Sequence, residues 1–207
     1  MKNEFDILRF GNDVKIFSKK VVSDDKKDIL EFCYDYINNN LEDSPFDAFT
    51  IYHSDHQVSD KLINIGLSFC KEVAIFENKY KKNCEGEFWI NRVKKQNPIQ
   101  KSYKTNDNKI LFHSHKEINE INKRFIPTYT FVYYIQMPNN LKNKDGVLYL
   151  KDKNEQIYDF LPEESTIIVM DGDLYHSPNS ALNSTLDRIV FAGNVFFYED
   201  KLNKTII

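Results

Sequence analysis

In the first part of the chain, apolar residues recur every three to four positions. Within 26–38, Ile29, Cys33, Tyr36 and Ile37 form one stripe behind the polar Ser23-Asp24-Asp25, which can cap a helix start. Within 60–75, Leu62, Ile65, Phe69, Cys70 and Val73 repeat that spacing. The pattern predicts two amphipathic helices, each needing an apolar surface to cover. From about Glu87 the period drops to two, in the segments EFWINRV, KILFHSHK, YTFVYYIQ, GVLYL, QIYDF, STIIVM and RIVFAGNVFF. Breakers such as NP, MPNN, KDG, PEE, DGD and PNS separate them. Short, closely spaced strands without intervening helices predict an antiparallel sandwich or barrel. The expected class is α+β, a jelly-roll with N-terminal helices packed on its sheet. One domain is expected over 1–207, with 1–85 as mostly helical support and 86–200 as the strand core.

Composition narrows the function classes only a little. The 28 basic and 31 acidic residues leave a net charge of -3, so no global field favours a phosphate backbone or an anionic membrane. The opening MKNEFDILRF alternates charged and apolar residues, unlike a secretory leader, and no run is long enough to span a bilayer. A soluble, cytoplasmic protein is the expectation. Cys33, Cys70 and Cys84 are widely spaced and form no C-x-x-C pair, which predicts reduced structural thiols.

The residues that bear chemistry concentrate in the strand-rich half. If the run FHSHKE is extended, His113, His115 and Glu117 share one face. His176 follows far downstream, after the turn-forming DGD at 171–173. Two imidazoles and one carboxylate on one face of an octahedron are the ligand set of an oxygen-activating non-haem Fe(II). His115, Glu117 and His176 supply those types, with His113 as an alternative ligand or a neighbour of the site. Further on, Arg188 opens RIVFAGNVFF and shares a face with Val190, Ala192 and Asn194. A guanidinium facing a barrel interior needs an anion, and its planar fork matches a carboxylate.

The order H-x-E, YTFVYYIQMP, KDGVLYL, DLYHSP and RIVFAGNVFF resembles the 2-oxoglutarate/Fe(II)-dependent dioxygenase superfamily, in particular its prolyl-hydroxylase-like branch and phage-type relatives. The resemblance covers roughly 87–198. It implies a double-stranded β-helix and a hydroxylase that uses Fe(II), 2-oxoglutarate and O2 and releases succinate and CO2. It also implies Tyr134, the second Tyr of Tyr133-Tyr134-Ile135-Gln136, as a ligand of the cosubstrate carboxylate beside Arg188. Two positions differ from the family pattern: Glu117 where Asp is commoner, and Val190 where many members place a Ser or Thr.

Two other readings share the architecture. His113, His115, Glu120 and His176 also resemble the three-His, one-Glu metal site of the cupins. A non-catalytic jelly-roll binding module could use Trp89, Tyr129, Tyr133 and Tyr149 to line a groove. The literal H-x-D at His53-Ser54-Asp55, together with His56, reads as a turn or helix cap. The substrate is expected to be selected by 94–108 and 118–128, whose polar, basic-leaning composition admits a protein side chain, a nucleobase or a small molecule.

Overall fold

The computed structural model describes residues 4–39, 47–51, 56–93, 112–116, 127–142, 145–179 and 184–199. The elements run β1 (Asp6–Phe10), β2 (Val14–Lys20), α1 (Lys26–Asn39), β3 (Asp47–Ile51), α2 (Gln57–Phe76), β4 (Asn83–Val93), β5 (Tyr129–Gln136), β6 (Leu148–Lys151), β7 (Ile157–Phe160), β8 (Thr166–Asp171), β9 (Tyr175–Pro178) and β10 (Arg188–Tyr198). Among the described residues, seven strands form one sheet in the order β1-β2-β8-β5-β10-β4-β3, and three form a second in the order β7-β6-β9. These strand pairs are antiparallel. The fold is α+β, a jelly-roll with two helices on its larger sheet.

Both helices lie where the 3.6-residue period predicts them. Ahead of α1, the Asp25 carbonyl accepts from the Ile29 N–H at 2.9 Å. His56 is the N-cap of α2, its Nδ1 accepting from the Val58 N–H at 3.3 Å, in keeping with the capping role expected of it. His53, Ser54 and Asp55 lie outside the described residues. The segment expected as helical support also carries β1, β2 and β3, and these extend the larger sheet at both edges. Five to seven residues with many charges, as in VKIFSKK, carry too weak a period-two signal to stand out beside two helices.

The larger sheet separates two apolar layers. On its helix side, Phe88, Ile90, Phe131, Tyr133, Ile135, Ile167, Val169, Ile189, Phe191 and Val195 pack with Ile29, Cys33, Ile37, Leu62, Phe69 and Val73 of the helices. On the other side Val14, Ile16, Tyr134, Ile168, Met170 and Val190 meet Leu148 and Leu150 of the small sheet. The alternation of β5 and β10 therefore divides each strand between a structural face and an inner face. Burial raises the Cys33 thiol to about 12 and holds the Cys70 thiol well above its ordinary value, as inert structural cysteines require.

Glycines set how closely the layers approach at Phe131. Gly193 pairs in register with Phe88 on one side and Phe131 on the other, so its missing side chain leaves room for both rings. A Cβ on Gly66 of α2 would lie 2.2 Å from the Phe131 ring tip, so α2 can rest on the sheet only because that position is bare. Among the described residues no helix is long and apolar enough to cross a membrane.

Candidate metal centre and anion pocket

Backbone register brings the first two histidines together. His113 forms an isolated antiparallel bridge with His176, its N–H donating to the His176 carbonyl at 3.1 Å and its carbonyl accepting at 2.9 Å. Directly opposed residues of an antiparallel pair point their side chains to the same face, and the two rings stand 4.4 Å apart. On its other edge His176 pairs with Leu150 of β6.

Beyond this bridge the chain departs from the strand expected for KILFHSHK. His115 and Lys116 are already helical, and the Lys116 N–H donates to the Gly172 carbonyl at 2.9 Å. The alternation that would align Glu117 with the two histidines therefore does not run through the whole segment. Glu117 and Glu120 lie outside the described residues. His115 nevertheless reaches the same point, its ring 5.5 Å from His113 and 5.2 Å from His176.

One nitrogen from each of His113, His115 and His176 lies within 4.8 Å of the others, a spacing able to hold a metal ion. His176 Nδ1 is 2.9 Å from the Leu174 carbonyl. A carbonyl only accepts, so Nδ1 carries the proton and Nε2 keeps its lone pair for a metal. Burial, then the neighbouring His113, lowers His115 to about 3; burial and the two other histidines hold His176 well below the ordinary value. Both are neutral imidazoles near neutral pH, the form that binds metal. The donor set thus fits a borderline first-row divalent cation.

The triad lines a cavity of about 120 Å³, whose wall is made by the inner faces of β4, β5 and β10. Tyr134 and Arg188 both line it, with Thr130, Val190, Asn91 and Trp89. Arg188 is 5 % exposed, and its Nη1 donates to the Asn179 carbonyl at 3.2 Å. That bond ties the start of β10 to the residue just after the β9 strand that carries His176. A register shift between Ile189 and Val190 opposite β5 sits beside Arg188, the kind of irregularity that re-aims a side chain. Burial pushes the Tyr134 phenol well up, and the Arg188 charge partly offsets this, placing the two groups in one electrostatic neighbourhood.

The expected groove aromatics divide between the layers. Trp89 lines the cavity, 5.5 Å from the His115 ring. Tyr129 and Tyr133 belong to the helix-side core, and Tyr149 is buried on β6, accepting from Asn179 Nδ2 at 3.3 Å. The sequence reading missed Thr130 and Asn91. Their signal was available, since Thr130 shares the face of Tyr134 along β5 and Asn91 shares that of Trp89 on β4.

No family model matches the chain, and no curated protein matches it in sequence. Solved structures do match in fold. A prolyl-4-hydroxylase from Pseudomonas putida aligns over 88 % of this chain and 92 % of its own, with a TM-score of 0.58 and 11 % identity. HygX from Streptomyces hygroscopicus, solved with nickel and 2-oxoglutarate bound, aligns over 88 % and 82 % with a TM-score of 0.58 and 8 % identity. A 2OG-Fe(II) oxygenase family oxidoreductase from Burkholderia pseudomallei aligns over 88 % and 85 % with a TM-score of 0.51 and 12 % identity. The jelly-roll is thus that of structures which include 2-oxoglutarate-dependent Fe(II) oxygenases, and the likeness covers most of both chains.

Proposed function

We propose that this chain is an Fe(II)- and 2-oxoglutarate-dependent oxygenase. The observation that carries the proposal is one cavity lined by a triad of histidines and, in the same wall, by a buried arginine beside a buried tyrosine. A binding module needs neither. His115 and His176 hold the metal with a third ligand from the same segment as His115, while Arg188 and Tyr134 take the distal carboxylate of the cosubstrate.

Iron and 2-oxoglutarate together supply oxidative decarboxylation, in which dioxygen delivers one atom to succinate, with loss of CO2, and the other to the substrate. The protein's share is positional. The backbone bridge between His113 and His176 fixes two imidazoles before any ligand arrives, which lowers the cost of binding. The Leu174 carbonyl sets the His176 tautomer. Asn179 steadies the guanidinium, whose planar fork orients a carboxylate by two parallel hydrogen bonds. Val132, Leu148 and Val190 present apolar surface to the cavity and keep water out of the rest of it. Trp89, beside His115, is placed to meet a substrate approaching the metal.

The test is succinate release from 2-oxoglutarate under air, by anaerobically purified protein given Fe(II), with His176→Ala and Arg188→Ala as controls. Turnover lost in both variants supports the proposal. Bound iron without 2-oxoglutarate binding would favour the cupin-like alternative instead.

A further inference from the structure

Away from Arg188, the inner face of the larger sheet carries a buried polar pair that no step of the proposed reaction uses. Along β10, Arg188, Val190, Ala192 and Asn194 alternate onto that face, and the first three line the cavity. Ala192 lies opposite Trp89 and Val132, and the Trp89 ring stands 5.5 Å from His115. Asn194 is one step further, opposite Thr130 on β5, about 20 Å of strand from Arg188 and next to the row that faces His115. Thr130 and Asn194 are 1 % and 3 % exposed, and the Thr130 hydroxyl donates to Asn194 Oδ1 at 3.0 Å. A hydroxyl hydrogen needs an acceptor, so the amide oxygen faces Thr130 and Nδ2 is turned away from it. Among the described residues nothing accepts from Asn194 Nδ2. A buried donor without an acceptor is unfavourable, and a ligand that brings one removes the penalty.

We propose that Asn194, held by Thr130, reads the substrate, and that it recognises the carbonyl of an uncharged amide presented by a polypeptide. The inference deepens the oxygenase reading and rests on it for the reaction at the metal. The surroundings select a neutral acceptor. Met170, opposite Thr130, and the cavity-lining Val132 and Ala192 are apolar, so a charged group would be desolvated there without compensation. Glu87, opposite Asn194 on β4, already has a partner of its own, and its carboxylate would repel an anion. The size of the cavity points to a substrate that stays mostly outside it. About 120 Å³ is the liquid share of roughly four water molecules and lies below the roughly 300–1,000 Å³ of a small-molecule pocket. With the cosubstrate in place only one small group of the substrate enters, which suits a side-chain or backbone amide better than a nucleobase.

The experiment uses the full chain loaded with Zn(II), which supports no turnover, and reads the fluorescence of Trp89, the only tryptophan of the chain. Propionamide, propionate, propylammonium and adenosine are titrated with and without 2-oxoglutarate, and 2-oxoglutarate binding is measured on the same protein by calorimetry. The expected result is a saturable response to propionamide, at lower concentration than to either charged analogue or to adenosine. Asn194→Leu should weaken propionamide by about fivefold or more, the loss of one buried hydrogen bond. Asn194→Asp keeps the side-chain shape and the Thr130 bond, and answers the same question should the leucine variant fail to fold. Under mildly alkaline conditions, where the new carboxyl is ionised, it should reverse the preference, binding propylammonium more tightly than propionamide. No propionamide response, equal affinity in the wild type and Asn194→Leu, or an unreversed preference in Asn194→Asp overturns the assignment of Asn194. Wild-type binding of a charged analogue as tight as that of propionamide overturns the neutral class, and tighter binding of adenosine replaces the polypeptide by a nucleobase. Bound 2-oxoglutarate without a propionamide response refutes the amide site alone. A propionamide response lost in Asn194→Leu, with no binding of 2-oxoglutarate, leaves the amide site standing and refutes the oxygenase reading.

Discussion

Gly193 tests the division of β10 into a structural face and an inner face. It sits on the helix side, next to Ala192, which lines the cavity, and it pairs with Phe88 and Phe131 on the flanking strands. A Cβ there would lie 2.7 Å from a ring carbon of each phenylalanine and 2.8 Å from the Glu87 carbonyl oxygen. Neither ring can step aside. Phe131 packs on Phe88 and Phe191 at 6.2 and 5.6 Å, and its tip faces Gly66. The carbonyl belongs to β4, which pairs with β10 along its full length, so moving it disturbs that ladder. Alanine relieves the unfolded chain of glycine's freedom by about 0.5–1 kcal/mol. Overpacking a filled core costs about 1–3 kcal/mol, and three simultaneous contacts put this site in the upper part of that range. Gly193→Ala should therefore destabilise the fold by about 1–2 kcal/mol, a drop in Tm of roughly 3–6 °C for a chain of this size. The assay is thermal unfolding followed by circular dichroism, paired with metal stoichiometry on the folded variant, which should be unchanged. An unchanged or raised Tm would refute the packing account of the helix-side core.

Four further outcomes follow from the same geometry. Arg188→Ala should weaken 2-oxoglutarate by roughly 10²–10³-fold, the loss of two charged hydrogen bonds at ~1.5–2 kcal/mol each, while sparing metal content; equilibrium binding checks both. His176→Ala should abolish metal retention, measured as metal per chain after gel filtration, and a full complement would remove His176 from the ligand set. Glu77, at the end of α2, accepts from Tyr129 at 2.8 Å and pairs with Lys15 and Lys79; burial pushes its carboxyl up, but these three partners outweigh burial and hold it below the ordinary value. A depressed carboxylate stabilises above its unfolded value, near pH ~4.3, and that stability fades as pH falls through the folded value. Glu77→Gln should cost about 1 kcal/mol near neutral pH and show a flatter loss of stability below about pH 4 in urea unfolding. Gly66→Ala should lower Tm despite its better helix propensity, because the new Cβ meets the ring of Phe131.

The sequence was most legible where period and burial agree. The alternation of YTFVYYIQ and RIVFAGNVFF identified β5 and β10 and put Val190, Ala192 and Arg188 on one face, which is the face the cavity uses. The helical stripes of α1 and α2 were equally plain. Register was not legible. No local signal in Tyr175–Pro178 marks four residues as a strand, and nothing near His113 indicates that it bridges to a residue so distant in sequence. The convergence of three histidines is a product of that long-range pairing, so His113 could be read only as an alternative ligand. Period two also overran its domain in FHSHKE, because the chain is already helical at His115, where the Lys116 N–H bonds the carbonyl of Gly172, a partner distant in sequence. Gly172 itself must be bare, since a Cβ there would meet the Pro127 carbonyl oxygen at 2.3 Å.

The central claim is that one cavity binds 2-oxoglutarate through a histidine-held metal at one end and Arg188 at the other. Calorimetric titration of 2-oxoglutarate into Fe(II)-loaded protein under nitrogen tests it most directly. The account predicts one cosubstrate per metal, with binding lost in metal-free protein and weakened strongly in Arg188→Ala. Absence of binding to the metal-loaded protein, or equal binding with and without metal, would contradict it.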